Sequence, residues 1–120
     1  MWGNKSAAQA RDAAGTEVIC DKMANCQGIT SRGMAQLKGN GCLCLGSDQL
    51  VFVQWIPRRM LEIPRAKILG VEEVTWHLKA TKGTPMVKVT FTNEAGEEDS
   101  GAWIVRDRER WLGELRAIVG

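Results

Sequence analysis

The sequence predicts a mostly β domain of the α+β class, with about seven short antiparallel strands followed by one C-terminal helix. Three observations predict it. Short apolar runs, bounded by glycine, proline and small polar residues, recur from about Val18 to Val105. The cleanest run, "MVKVTFT" (86–92), sets Val87, Val89 and Phe91 on one face and Lys88, Thr90 and Thr92 on the other. After Asp107 the period changes, and Trp111, Leu112, Leu115, Ile118 and Val119 fall on one stripe at helical spacing.

The elements follow in chain order. The opening "MWGNKSAAQARDAAGTE" (1–17) is polar and Ala-rich and has no strand pattern, so it reads as a flexible or linker-like leader or a marginal helix. It also resembles the stub left where a preceding membrane anchor has been removed. Residues 18–120 then form the domain. "GMAQLK" (33–38) is the first expected strand and "GNG" (39–41) a turn. "CLCLGSDQLVFVQW" (42–55) is a hairpin about Gly46-Ser47-Asp48. Leu43, Leu45, Leu50 and Phe52 share one of its faces, and Cys42, Cys44, Val51, Val53 and Trp55 share the other. Two apolar faces imply that the second is covered as well, by the N-terminal segment or by a partner.

Pro57 ends that strand, because proline has no N–H for the ladder. "MLEI" (60–63) is a short strand stopped by Pro64, and "RAKI" turns into "LGVEEVTWHLKAT" (69–81), where Gly70 suggests a bulge. "KGTP" (82–85) is expected to reverse the chain before 86–92. "NEAGEED" (93–99) is a polar hairpin loop, and "SGAWIV" (100–105) is the last strand. Asp107 suits a helix N-cap, and Glu109 suits the positive end of the helix dipole.

The totals narrow the function. At 120 residues the chain fits one domain that needs no covalent staple. A net charge of +2 does not supply the strongly basic face that nucleic acid requires. Residues 32–88 carry nine Lys/Arg against four Asp/Glu, and residues 89–120 carry four against seven. That polarity either orients the domain near an anionic surface or marks two solvated faces. Cys20, Cys26, Cys42 and Cys44 read as buried free thiols. Cys20 and Cys26 could pair across a turn, whereas Cys42 and Cys44, two apart on one strand, sit at the far edge of disulfide geometry. Their spacings do not match zinc sites, and the sole histidine, His77, has no nucleophile pattern beside it. Glu97, Glu98 and Asp99 read as a solvated hairpin tip. No apolar run of about 18 residues spans a membrane, and no secretory signal opens the chain. No catalytic residue, cofactor or metal ligand is therefore expected.

The order of these segments resembles the pleckstrin-homology superfold, in its GRAM and bacterial pleckstrin-homology-like branch. The resemblance runs over about residues 30–119, through "GCLCLGSDQLVFVQW", "LEIPRAKILGVEEV", "MVKVTFTNEAGEEDSGAWIV" and "DRERWLGELRAIV". It implies a bent barrel whose open end is plugged by the final helix, with Trp111 and Leu115 as the plug. It also implies a binding or scaffolding role. The family's phosphoinositide site uses several Lys and Arg on the first two strands and the loop joining them. The matching loop here, "LKGNGCL", carries only Lys38, and one lysine cannot grip two phosphates.

"WIPRRMLEIPRAKI" (55–68) carries the remaining signal. Arg58, Arg59, Arg65 and Lys67 either deter edge-to-edge strand pairing or touch anionic lipid, with Trp55 and Ile56 dipping into the interface. The second class of function is a protein-interaction module that adds a peptide along the groove between helix and strand edge. The expected partner is thus an anionic membrane surface or a protein or peptide, with a homodimer as a further expectation. The expected location is cytoplasmic or peripheral to a membrane, with tethering by a segment N-terminal to this chain.

Overall fold

Apolar side chains on both faces of the 42–53 hairpin oblige the chain to cover that hairpin twice: the N-terminal helix takes the outer face, and the opposite wall of the curled sheet takes the inner one. The computed structural model describes residues 2–30, 33–56, 58–77 and 80–119. Within these, side chains are described for all but 2–4, 6, 33–38, 76–77 and 80–82. Helix α1 (Trp2–Ala14) comes first, and helix α2 (Arg108–Val119) comes last. Between them lie β1 (Glu17–Ile29), β2 (Gly33–Gly46), β3 (Gln49–Gln54), β4 (Arg59–Pro64), β5 (Ile68–His77), β6 (Ala80–Thr92) and β7 (Glu98–Ile104). A single 3-10 turn, Arg65–Lys67, joins β4 to β5. The seven strands make one antiparallel sheet in the order β4-β3-β2-β1-β7-β6-β5.

The sheet curls on itself without closing. β3 and β7 are three places apart in the strand order, yet Phe52 and Trp103 meet edge to face with ring centroids 5.9 Å apart. Their contact crosses the interior. The extents of 31 × 31 × 30 Å fit a curled wall better than a flat sheet of seven strands. Among the described residues, β4 and β5 are not hydrogen-bonded to each other, so both remain edges.

The inner face gathers Leu43, Leu45, Leu50, Phe52, Val87, Val89 and Phe91 with Trp111, Leu112 and Leu115 of α2. The expected inward faces hold, and so does the helix stripe as far as Ile118, which packs against the same core, whereas Val119 at its end is 37% exposed. Trp111 and Leu115 are each no more than 1% exposed. The outer face of the hairpin (Cys42, Cys44, Val51 and Val53) is sealed by Ala7, Ala10 and Ala14 of α1. Residues 1–17 are thus not a loose leader over the described part: α1 docks on the sheet. Alanine lets the helix axis come close, and Gly46 completes the fit, since a Cβ there would stand 2.3 Å from the carbonyl oxygen of Ala14. The end of α1 is tied down as well. Asp48 N–H donates to Ala14 O at 2.9 Å and Ser47 N–H donates to Thr16 O at 2.8 Å.

Three expected boundaries move. The first strand is Glu17–Ile29, and 33–38 is the start of the second, which runs unbroken through Gly39-Asn40-Gly41 to Gly46. Those glycines serve the strand instead of turning it. Gly39 takes a φ of 124°, and a Cβ on Gly41 would lie 2.3 Å from Val53 O. "KGTP" (82–85) likewise lies inside β6, which begins at Ala80 after β5 ends at His77, and residues 78–79 lie outside the described residues. His77 pairs with Ala80. The bulge at Gly70 is present as a register shift between Ile68 and Gly70.

β1 is the strand both halves share, pairing with β2 on one side and β7 on the other. Its register slips between Asp21 and Ala24, and Asp21, 3% exposed, fills the slip with its carboxylate. That carboxylate accepts from Met23 N–H at 2.9 Å, from Arg106 N–H at 2.8 Å and from Arg106 Nε at 3.1 Å. It thereby fixes the chain between β7 and α2. Replacing it orphans two backbone donors, whereas truncating the 68%-exposed Arg106 side chain leaves both donors satisfied. Asp21→Ala should therefore cost about 2–4 kcal/mol, and Arg106→Ala about 1 kcal/mol or less. Urea unfolding of the two variants checks this, and equal losses would refute the assignment of the backbone donors as the main debt.

Candidate functional site

The β3–β4 connection is short, lying between Gln54 and Arg59. Trp55 is anchored by its backbone, with N–H donating to Asn40 O at 3.0 Å, and its side chain is half-buried. Ile56 beside it is 71% exposed, the most exposed of the large apolar side chains described. Arg58 is exposed and held by α1, with Nε donating to Gln9 Oε1 at 3.0 Å. Arg59 opens β4 opposite Gln54 and is exposed. Pro57 lies outside the described residues.

The register extends this rim beyond the loop. Ala24 pairs with Gly41, Gly41 with Gln54, and Gln54 with Arg59, so these four residues form one row across four strands. Exposed Lys22 and Met23, the latter 56% exposed, immediately precede Ala24 along β1, inside its register slip. Two strand spacings, about 10 Å, separate Ala24 from Gln54. Helix α1 points its N-terminus the same way. Its C-terminal end meets Asp48 at the far hairpin, Gln9 meets Arg58, and exposed Lys5 lies one turn beyond Gln9. Cations from three segments thus flank two exposed apolar side chains.

Arg65 and Lys67 are not part of this rim. They sit past the other end of β4, about 20 Å of extended chain from Arg59. Arg65 is half-buried and donates from Nη1 to Gly46 O at 3.2 Å, which fastens the 3-10 turn to the β2–β3 hairpin. Lys67 is exposed there. The residues that sequence reasoning missed are Lys5, Lys22 and Met23. Only the register of β1 could reveal the last two, and the bulge hides that register. Asp99 also departs from its expected place on a solvated tip. It is 5% exposed and accepts from Ser100 N–H at 2.9 Å and from Asn93 Nδ2 at 3.3 Å, while Glu97 and Glu98 remain exposed. The side chain of His77 lies outside the described residues.

The cysteines pair differently from either sequence option. Antiparallel pairing sets Cys20 directly opposite Cys44, Cα to Cα 4.2 Å, and the two form a disulfide on the face that α1 covers. The sequence concealed this pairing because β1 was not legible as a strand. Cys26 and Cys42 are buried and stand outside the disulfide. Burial pushes the Cys26 thiol up to about 12, against a smaller opposing pull from the backbone at Gly28. Burial also raises Cys42 above its ordinary value, and its Sγ donates to Lys22 O at 3.2 Å. Neither thiol has the electropositive, exposed setting of a nucleophile.

Comparison with protein-family models, with curated proteins and with solved structures finds no match. The site is therefore interpreted from its own geometry.

Alkylation checks the cysteine assignments. At pH 8 the native protein should take up no iodoacetamide, unfolding without reductant should expose two thiols, and unfolding with reductant four. The sign for Cys26 is fixed by its raised value: folding stability is intact below the thiol's ordinary 9 and declines as pH rises from there to about 12. Cys26→Ala should flatten that alkaline decline. An unchanged slope would assign the decline to other groups.

Proposed function

We propose that this chain is a non-catalytic binding domain, pleckstrin-homology-like in build, that touches an anionic membrane surface through the rim at residues 55–59. The seven-strand antiparallel sheet with α2 packed on its inner core supports the first part. The observation that carries the second is Ile56, 71% exposed and flanked by half-buried Trp55 and exposed Arg58 and Arg59. An isoleucine left in water beside two arginines suits a surface whose outer layer is anionic and whose next layer is apolar. Lys22, Met23 and Lys5 widen the same contact. No described helix is long and apolar enough to cross a membrane, so the association in this reading is peripheral.

Each cation near an anionic surface adds about 1 kcal/mol, or roughly fivefold in partitioning. Liposome cosedimentation tests the reading. The protein should bind vesicles containing phosphatidylserine and leave neutral ones. Arg58→Ala with Arg59→Ala should lower the partition coefficient roughly 25-fold, and Ile56→Asp should lower it further. Arg65→Ala with Lys67→Ala should change it little. Equal binding to neutral and anionic vesicles, or none to either, would end this reading.

A further inference from the structure

The open edge of β4 borders a cavity of about 520 Å³. Its far wall is the end of β6 and the β6–β7 hairpin, residues 91–95. The volume falls within the usual range of ligand sites, about 300–1,000 Å³. The membrane rim described above is at the β3–β4 loop, so this is a separate site.

The register shows which backbone groups of β4 face the cavity. Trp55 N–H donates to Asn40 O, which makes Asn40 and Trp55 a hydrogen-bonded pair between β2 and β3. Alternation then turns the backbone groups of Gln54, Phe52 and Leu50 toward β4, opposite Arg59, Leu61 and Ile63. A second bond agrees: Arg65 N–H donates to Asp48 O, the next pair in the same series. Arg59, Leu61 and Ile63 therefore spend their N–H and C=O groups on β3. Met60 and Glu62 present theirs to the open side. Pro64, next in that series, has no N–H and limits the usable edge to about three residues.

Most proteins hide such an edge or charge it against pairing. Here the edge instead borders the cavity directly. Leu61 and Phe91 line it with apolar surface. Exposed Glu62 and Glu94 line it with carboxylates, with Lys67 as the cation among the charged side chains there, while Asp99 shares a face with its cross-strand partner Phe91 and is engaged by Ser100 and Asn93. Along β4 the sides alternate, with Leu61 in the inner core and half-buried Met60 packed against the outer one. An added strand would alternate in step, one side chain turned to Leu61 and Phe91 and its neighbours turned toward Glu62.

We propose that this groove receives an extended peptide in which apolar and basic side chains alternate, pairing with the N–H and C=O groups of Met60 and Glu62. The carboxylates select for the basic residues, and the apolar wall selects for the residue between them. The backbone groups give affinity without regard to side chain.

The probe is a capped Arg-Val-Arg-Val-Arg peptide, titrated into the whole chain with backbone amide NMR. Binding should shift and protect the amides of Met60 and Glu62 from exchange. A peptide N-methylated at alternate residues should bind at least tenfold more weakly, and so should the charge-reversed Glu-Val-Glu-Val-Glu. Glu94→Lys on the exposed hairpin should weaken the parent peptide about fivefold, and Glu62→Lys serves as a second variant should the first fold poorly. Three results would overturn the proposal: no binding at millimolar peptide, binding indifferent to N-methylation, or binding that leaves the Met60 and Glu62 amides unprotected. A concentration-dependent dimer that protects those two amides without peptide would also overturn it, since the edge would then serve a second copy.

Discussion

The buried carboxylate of Asp21 is the constraint on which the arrangement rests. A single strand, β1, joins the β2–β3–β4 half of the sheet to the β7–β6–β5 half, and it must bend to let the halves face each other. Bending breaks the ladder between Asp21 and Ala24 and leaves the backbone donors of Met23 and Arg106 to be satisfied by the buried Asp21 carboxylate. A side chain with two acceptor oxygens resolves this locally, and its proximity to Arg106 sets where α2 begins. Every later contact of α2, including Trp111 and Leu115 in the inner core, inherits its position from that junction.

A second constraint comes from the hairpin made by β2 and β3. Its inner side chains are large and branched, and its outer ones are smaller: cysteine and valine. The outer surface therefore suits a helix that presents alanine, and Ala7, Ala10 and Ala14 supply it at spacings of three and four. The Cys20–Cys44 disulfide lies within this layer, so the bond that ties β1 to β2 is shielded by α1. The loop it closes spans 24 residues, for which chain entropy alone gives about 3 kcal/mol.

What the sequence disclosed follows from which signals are local. The two faces of the 42–53 hairpin, the inward set Val87, Val89 and Phe91, and the stripe of α2 are periodic within a few residues, and all three hold but for Val119 at the helix end, which is exposed. β1 was opaque because its bulge destroys the period of two just where it would be read. Gly39 and Gly41 misled for a related reason. Glycine marks unusual backbone or close approach, and a turn is only one cause of either. The Ala7, Ala10, Ala14 spacing was visible, but an alanine stripe carries little hydrophobic signal until a sheet is known to lie against it. Of the candidate site, Trp55, Arg58 and Arg59 were legible because they share one loop. The separation of Arg65 and Lys67 from them depended on β4 being fully extended, and the addition of Lys22 and Met23 on a register no local pattern encodes.

The opposed charges of the two surfaces also need a physical account, because they share β4. Arg59 begins the strand, and Glu62 stands three residues on, about 10 Å of extended chain. That is slightly more than the Debye length of about 8 Å at physiological salt. The cationic rim and the acidic groove therefore keep separate fields in the cell, although they would partly cancel at low ionic strength. The two neighbouring surfaces draw their charges from all along the sequence: the rim takes Lys5, Lys22, Arg58 and Arg59, and the groove takes Glu62 and Lys67 from the basic middle and Glu94 from the acidic final third. A positive charge approaching the groove is thus opposed by the rim only where screening is weak, and a negative charge approaching the rim is opposed by the groove on the same terms.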